Sequence, residues 1–177
     1  MLKCVAAVVL CSVVSAGLVA QTSPEFSHAQ VVRVHDGDSV WLQPLGSVAK
    51  QAKAKWVVRI HGIDAPEICQ DFGVQAQNAL AVRLAGQRVA VTWRGQDSYG
   101  RWLATLRVLG TGDMSDVGQW MVARGYAWSY RFKGDPGPYA HTQRLAQAQQ
   151  RGLFANSLAV NPRRFRRSHG ACRQAPW

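Results

Sequence analysis

The chain has 177 residues, enough for one domain with a core of its own. At 47% hydrophobic and 18% charged it is not a disordered polypeptide, and no short-period repeat marks a solenoid. A net charge of +11 makes a polyanion the first partner to consider, nucleic acid ahead of an anionic membrane or cell-wall polymer.

In chain order, residues 1–20 carry Lys3, an apolar stretch from Val5 to Val14, and small or apolar residues up to Ala20. That pattern predicts a secretory signal, cut before a leader at 21–30, and an exported product, periplasmic or secreted. Its removal takes Cys4 and Cys11 and leaves two cysteines, Cys69 and Cys172. Two cysteines in an exported chain are expected to pair, and no His or Cys lies at ligand spacing to suggest a metal instead. Val31–His35 and Ser39–Gln43 read as a hairpin around Asp-Gly, and Lys55–His61 as a third strand after a Lys-rich loop. Phe72, Ala76, Ala79, Leu80 and Leu84 have helical spacing, stopped by Gly86. Two further strands follow, "RVAVTWR" and "WLATLRVL", separated by the turn "GQDSYGR". "DVGQWMVARG" reads as a short helix with Val117, Met121 and Val122 inward, and "GPYAHTQRLAQAQQRGLF" as a last one with Leu145 and Ala148 inward. After Asn156 the chain is expected to be irregular.

Five strands with a helix after the third predict an α+β domain with a mainly β core. The architecture expected is a five-stranded OB-fold Greek-key barrel with about three α-helices, over residues 31–156, followed by a basic tail at 157–177. The tail holds Arg163, Arg164, Arg166, Arg167 and Arg173 and reads either as a solvated segment or as a nucleic-acid contact.

Only ten residues are acidic, and four of them fall in "HDGDSV" (35–40) and "RIHGIDAPE" (59–67). An Asp-Gly turn explains Asp36 and Gly37 but not Asp64 and Glu67. Carboxylates at strand ends without His or Cys suit a hard cation, Ca²⁺ or Mg²⁺. Arg59 and Arg101 have the planar fork that grips phosphate, or else form ordinary surface ion pairs. Glu67 is suited to take a proton from water.

"HDGDSV", "RIHGIDAPE" and "SYGRWLATL", in this order, resemble the thermonuclease (staphylococcal-nuclease-like) family, and "GQWMVARGYAWSY" is similar to its next segment. The resemblance covers about Val31 to Phe154. It implies Ca²⁺ held by Asp38, Asp64 and the carbonyl of Ala65, with Glu67 as general base. It casts Arg59 and Arg101 as phosphate-binding arginines, Arg101 also as a candidate proton donor, with Tyr99 near the terminal phosphate and Tyr130 stacking on a base. The implied activity is Ca²⁺-dependent cleavage of DNA and RNA at the 5′ P–O bond, leaving 3′-phosphates, by a monomer that prefers single-stranded or frayed substrate. Ser98 stands where the family's best-known member has Lys, the loop after Glu67 is short, and the Arg-rich tail lies outside the family pattern. The alternative is a non-catalytic OB-fold nucleic-acid-binding module.

Overall fold

The computed structural model describes residues 24–46, 55–110, 112, 114–170 and 172. The predicted signal (1–20), most of the Lys-rich loop and Arg173 lie outside the described residues. The elements are β1 (His28–Val34), β2 (Ser39–Pro44), β3 (Trp56–Ile60), β4 (Ile63–Asp64), α1 (Gly73–Leu84), β5 (Arg88–Gln96) and β6 (Trp102–Val108). They continue with α2 (Val117–Ala123), β7 (Trp128–Ser129), α3 (Ala140–Ala148), a 3-10 turn (Gly152–Ala155) and α4 (Pro162–His169).

Five strands close a barrel in the order β1-β2-β3-β6-β5, as the alternation of apolar residues implied. All neighbours are antiparallel except β3 and β6, which run parallel with Val58 opposite Trp102. Val40, Leu42, Val58, Ile60, Val89 and Leu106 fill the interior, and Leu80 and Leu84 of α1 pack on it together with Met121 and Val122 of α2. At roughly 25 cal/mol per Å² of apolar area, these fully buried side chains are worth about 1.5–3 kcal/mol each. Phe26 is buried too, edge-on to Trp56 and Trp93, and β1 begins at His28. The folded body therefore takes in part of the segment read as a leader.

Two expectations fail at the C-terminal end. In α3, Leu145 is exposed and Ala148 is too, while Ala146 is the buried residue, set against Leu153 and Phe154. The helix docks through a small side chain, so its largest apolar residue was a poor guide to phase. Residues after Asn156 are not irregular throughout: α4 is a fourth helix. It starts with local signals, an Asn161 side chain that accepts the Arg163 N–H at 3.0 Å and Pro162 at its first turn.

Candidate active site

The register of the barrel builds the acid cluster. Ser39 pairs with Arg59 across β2 and β3, and the Ile60 N–H donates to the Asp38 carbonyl at 2.7 Å, so Asp38 sits beside Arg59. Gly37 makes the approach possible, because a Cβ there would stand 2.5 Å from the Ala65 Cβ and 3.1 Å from the Ala76 Cβ. Beyond β3, Gly62 takes φ 82°, a left-handed turn that favours glycine, and the chain doubles back to bring Asp64 to the same arginine.

Arg59 then bridges two carboxylates. Its Nη1 donates to Asp38 Oδ1 at 2.6 Å and its Nη2 to Asp64 Oδ1 at 2.9 Å. Both acids are almost fully buried. Asp38 also accepts from the Ser39 hydroxyl at 3.0 Å and from the Ala65 N–H at 3.1 Å, so each of its oxygens is fixed. Burying charge at this depth is costly unless it is paired and hydrogen-bonded, and the cluster meets that condition.

A second guanidinium closes the cluster from the tail. Arg166 of α4 donates to Asp64 Oδ2 at 3.1 Å and to Glu67 Oε1 at 2.7 Å. Asp38, Asp64 and Glu67 thus form one chain of contacts through Arg59 and Arg166. The tail is anchored nearby: Cys69 and Cys172 form a disulfide with Cα atoms 5.8 Å apart, and the Gln70 amide donates to the Val160 carbonyl at 2.6 Å.

The environment shifts several of these groups. Burial opposes the Arg59 charge, but Asp38, Asp64 and Asp36 outweigh it, and its pKa is raised. Burial raises the Asp64 pKa, with the Asp38 charge adding to it, against the pull of Arg59 and Arg166. Asp36 is pushed up to about 7 by burial and by the neighbouring Asp38 carboxylate. Arg166 keeps its charge more firmly than usual, because Asp64 and Glu67 overcome the burial that opposes it.

Sequence reasoning missed two residues here. Asp36 was explained by turn chemistry alone, and its side chain does accept the Asp38 N–H at 2.9 Å as an Asp turn should. Its place beside the cluster depends on how the hairpin end packs. Arg166 was one of several tail arginines. The usable signal was the second cysteine, six residues after it, with its partner two residues after Glu67.

The other expected site residues form no hydrogen bond or ion pair with the three carboxylates among the described contacts. Arg101 is tied to Asp97, Nε to Oδ2 at 2.7 Å, and its guanidinium lies 5.4 Å from the ring centre of the exposed Tyr99. It comes two residues before Leu103, the register partner of Arg59, on the adjacent strand. Tyr130 is partly exposed and lines a groove that Asp64 also lines. Tyr126 packs against the core between Phe72 and Trp120, and Trp128 packs on Phe154.

Among the described residues, no group of three or more His, Cys, Asp or Glu side chains is arranged to hold a metal ion. The two buried carboxylates that converge on one guanidinium nonetheless offer only oxygen atoms to a cation. That donor set fits a hard cation that keeps several waters, better than a metal needing an all-protein cage.

Residues 57–156 match the family model described as staphylococcal nuclease homologue. An uncharacterized endonuclease of Escherichia coli O157:H7 is 34% identical over 136 residues, covering 76% of this chain and 82% of that protein. A micrococcal nuclease of Shigella flexneri is 33% identical over 146 residues, covering 78% and 80%. A protein from Escherichia coli named ParB is 36% identical over 146 residues, covering 78% of each. The helix α4 lies beyond the residues that the family model matches.

Proposed function

We propose that this chain, which belongs to the staphylococcal nuclease homologue family, is a nuclease that hydrolyses phosphodiester bonds of DNA and RNA with the help of Ca²⁺. The observation that carries the proposal is the chain of contacts Asp38–Arg59–Asp64–Arg166–Glu67, which gathers three acids and two guanidiniums in one place. A binding module needs positive charge for a polyanion, and buried carboxylates work against that.

In this reading Asp38, Asp64 and the Ala65 carbonyl hold the cation, which when bound offsets negative charge on the phosphate. Arg59 fixes both aspartates and offers its remaining N–H donors to a phosphate oxygen, since a guanidinium has five. Glu67, held through Oε1 by Arg166, takes a proton from water. The water oxygen bonds to phosphorus, the 5′ P–O bond breaks, and a 3′-phosphate remains. Arg101 donates a hydrogen bond to the leaving oxygen, which takes its proton from solvent as the P–O bond breaks, with Tyr99 beside Arg101. Residues 1–20 serve as an export signal, so that the mature monomer acts outside the cytoplasm; mass spectrometry of the exported protein should find its N-terminus near Gln21.

The test is digestion of single- and double-stranded DNA and of RNA by the mature protein in Ca²⁺, in Mg²⁺ and in EGTA, beside Glu67→Gln. The expected result is Ca²⁺-dependent degradation that drops about 10²–10⁴-fold in the variant, the range of general-base catalysis. Salt-sensitive DNA binding without hydrolysis in any metal would replace the enzyme with the binding module.

A further inference from the structure

We infer that α4 is the far wall of a groove that holds a single-stranded nucleic-acid segment running on from the bond being cleaved; this rests on the nuclease reading above. The groove has a volume of about 700 Å³ and is lined by Asp64, the segment from Trp128 to Gly134, α3 and α4. Arg131, Lys133 and Arg144 line it from the family domain. Arg163, Arg164 and Arg167 line it from α4. Asp64 is the one acid in the lining, and Arg59 and Arg166 already bind it. The groove is therefore strongly cationic, and it opens on a residue of the candidate active site.

The three arginines of α4 are exposed and form no ion pair with any described acid. At positions i, i+1 and i+4 they share one helix face, where like charges repel. That face is held on the domain by the Cys69–Cys172 disulfide, by Arg166 and by the Gln70 contact to Val160. A line of phosphates is the ligand that relieves such repulsion.

The opposite wall argues for unpaired bases. Tyr130 and Phe132 line the groove with 38% and 54% of their surface exposed. Exposed aromatic rings next to cations are how proteins stack and hold single strands, and bases locked in a duplex cannot reach them.

The test uses the mature, oxidised chain and a fluorescein-labelled 20-mer of thymidine in EGTA, with anisotropy measured over a range of salt. The variant is Arg163→Gln/Arg164→Gln/Arg167→Gln, and the control is Arg88→Gln/Arg107→Gln/Arg124→Gln, three exposed arginines outside the groove. Three lost phosphate contacts should flatten the log K against log salt slope by about 2, and weaken binding at least about 10-fold at low salt. The control should keep the wild-type slope, and a blunt duplex should lose less than the single strand. An equal loss in variant and control, or no loss in either, overturns the groove. Each single variant is measured as well, and a change of about 0.7 in slope is expected from each, so a misfolded triple variant decides nothing alone. Groove-dependent binding by a chain that hydrolyses nothing would leave the groove standing and remove the nuclease reading.

Discussion

Asp64 is gripped by two guanidinium groups that arrive by different routes. Arg59 stands on β3 within the barrel, its side chain 13% exposed, with its neighbours fixed by the register against β2 and β6. Arg166 stands on an eight-residue helix outside the barrel, its side chain 32% exposed, and reaches the same carboxylate from the tail. The first contact is set by the main-chain ladder, whereas the second is set by a disulfide and a few side chains. One carboxylate therefore joins a rigid scaffold to an appended element, and the two arms should respond very differently to substitution.

Arg59→Ala should have the largest effect. It leaves Asp38 and Asp64 buried without their shared partner, and breaking a buried pair typically costs about 3–5 kcal/mol. Urea denaturation in EGTA should report that loss, and nuclease activity should fall with it. A loss below about 1 kcal/mol would mean that the acids re-pair or open to water, and the contrast between the arms would disappear. Cys172→Ser comes next. The bridge closes a separation of 103 residues, and losing such a link typically costs about 2–4 kcal/mol. Because the link holds a terminal helix, trypsin should release the tail faster while the barrel core stays protected, as followed by mass spectrometry. Equal protection of α4 with and without the bridge would show that the side-chain contacts alone suffice.

The same division explains what could be read from the sequence. The barrel and its acids were legible because their signals are local: alternating apolar strands, the Asp-Gly turn, and a Gly between "RIH" and "IDAPE". The glycine at 37 looked like a turn residue, yet the space it leaves for Ala65 and Ala76 is a tertiary requirement. The helix α4 was not legible because it has no apolar stripe; four of its eight residues are arginine. It begins with a local Asn-Pro start, but its docking comes from a disulfide and from acids about a hundred residues away, which periodicity cannot register. Likewise the inward face of α3 is a single alanine, and residue size pointed to its exposed neighbour Leu145.

Arg166→Gln should separate docking from charge. Its ion pairs are about one-third exposed on the arginine side, so the stability loss should be about 1 kcal/mol, well short of Arg59→Ala. At the Ca²⁺ site proposed above, affinity for the ion should move the other way. Removing a cation from Asp64 and Glu67 should tighten binding about 10-fold, equivalent to about 1.4 kcal/mol, by isothermal titration calorimetry. Weaker Ca²⁺ binding in the variant would instead mean that Arg166 holds the carboxylates in place for the ion.

The smallest effect is expected where a surface arm resembles Arg166 without a buried acid. Asp97 holds Arg101 and accepts the Tyr99 N–H at 2.9 Å and the Arg101 N–H at 3.0 Å. Burial pushes its pKa up, but the hydrogen bonds from Arg101 and Tyr99 prevail and the net shift is downward. A depressed carboxylate contributes stability above its unfolded pKa, and that contribution is lost as pH falls through its folded value. Asp97→Asn should therefore cost about 0.5 kcal/mol at pH 7, the usual worth of a partly exposed pair, and less as pH drops below about 4. Denaturation at pH 7 and pH 3 measures the difference. On the role proposed for Arg101, activity should fall more than stability, since the turn that holds Arg101 is loosened while the barrel is untouched. Equal activity at unchanged stability would remove Asp97 as the residue that positions Arg101.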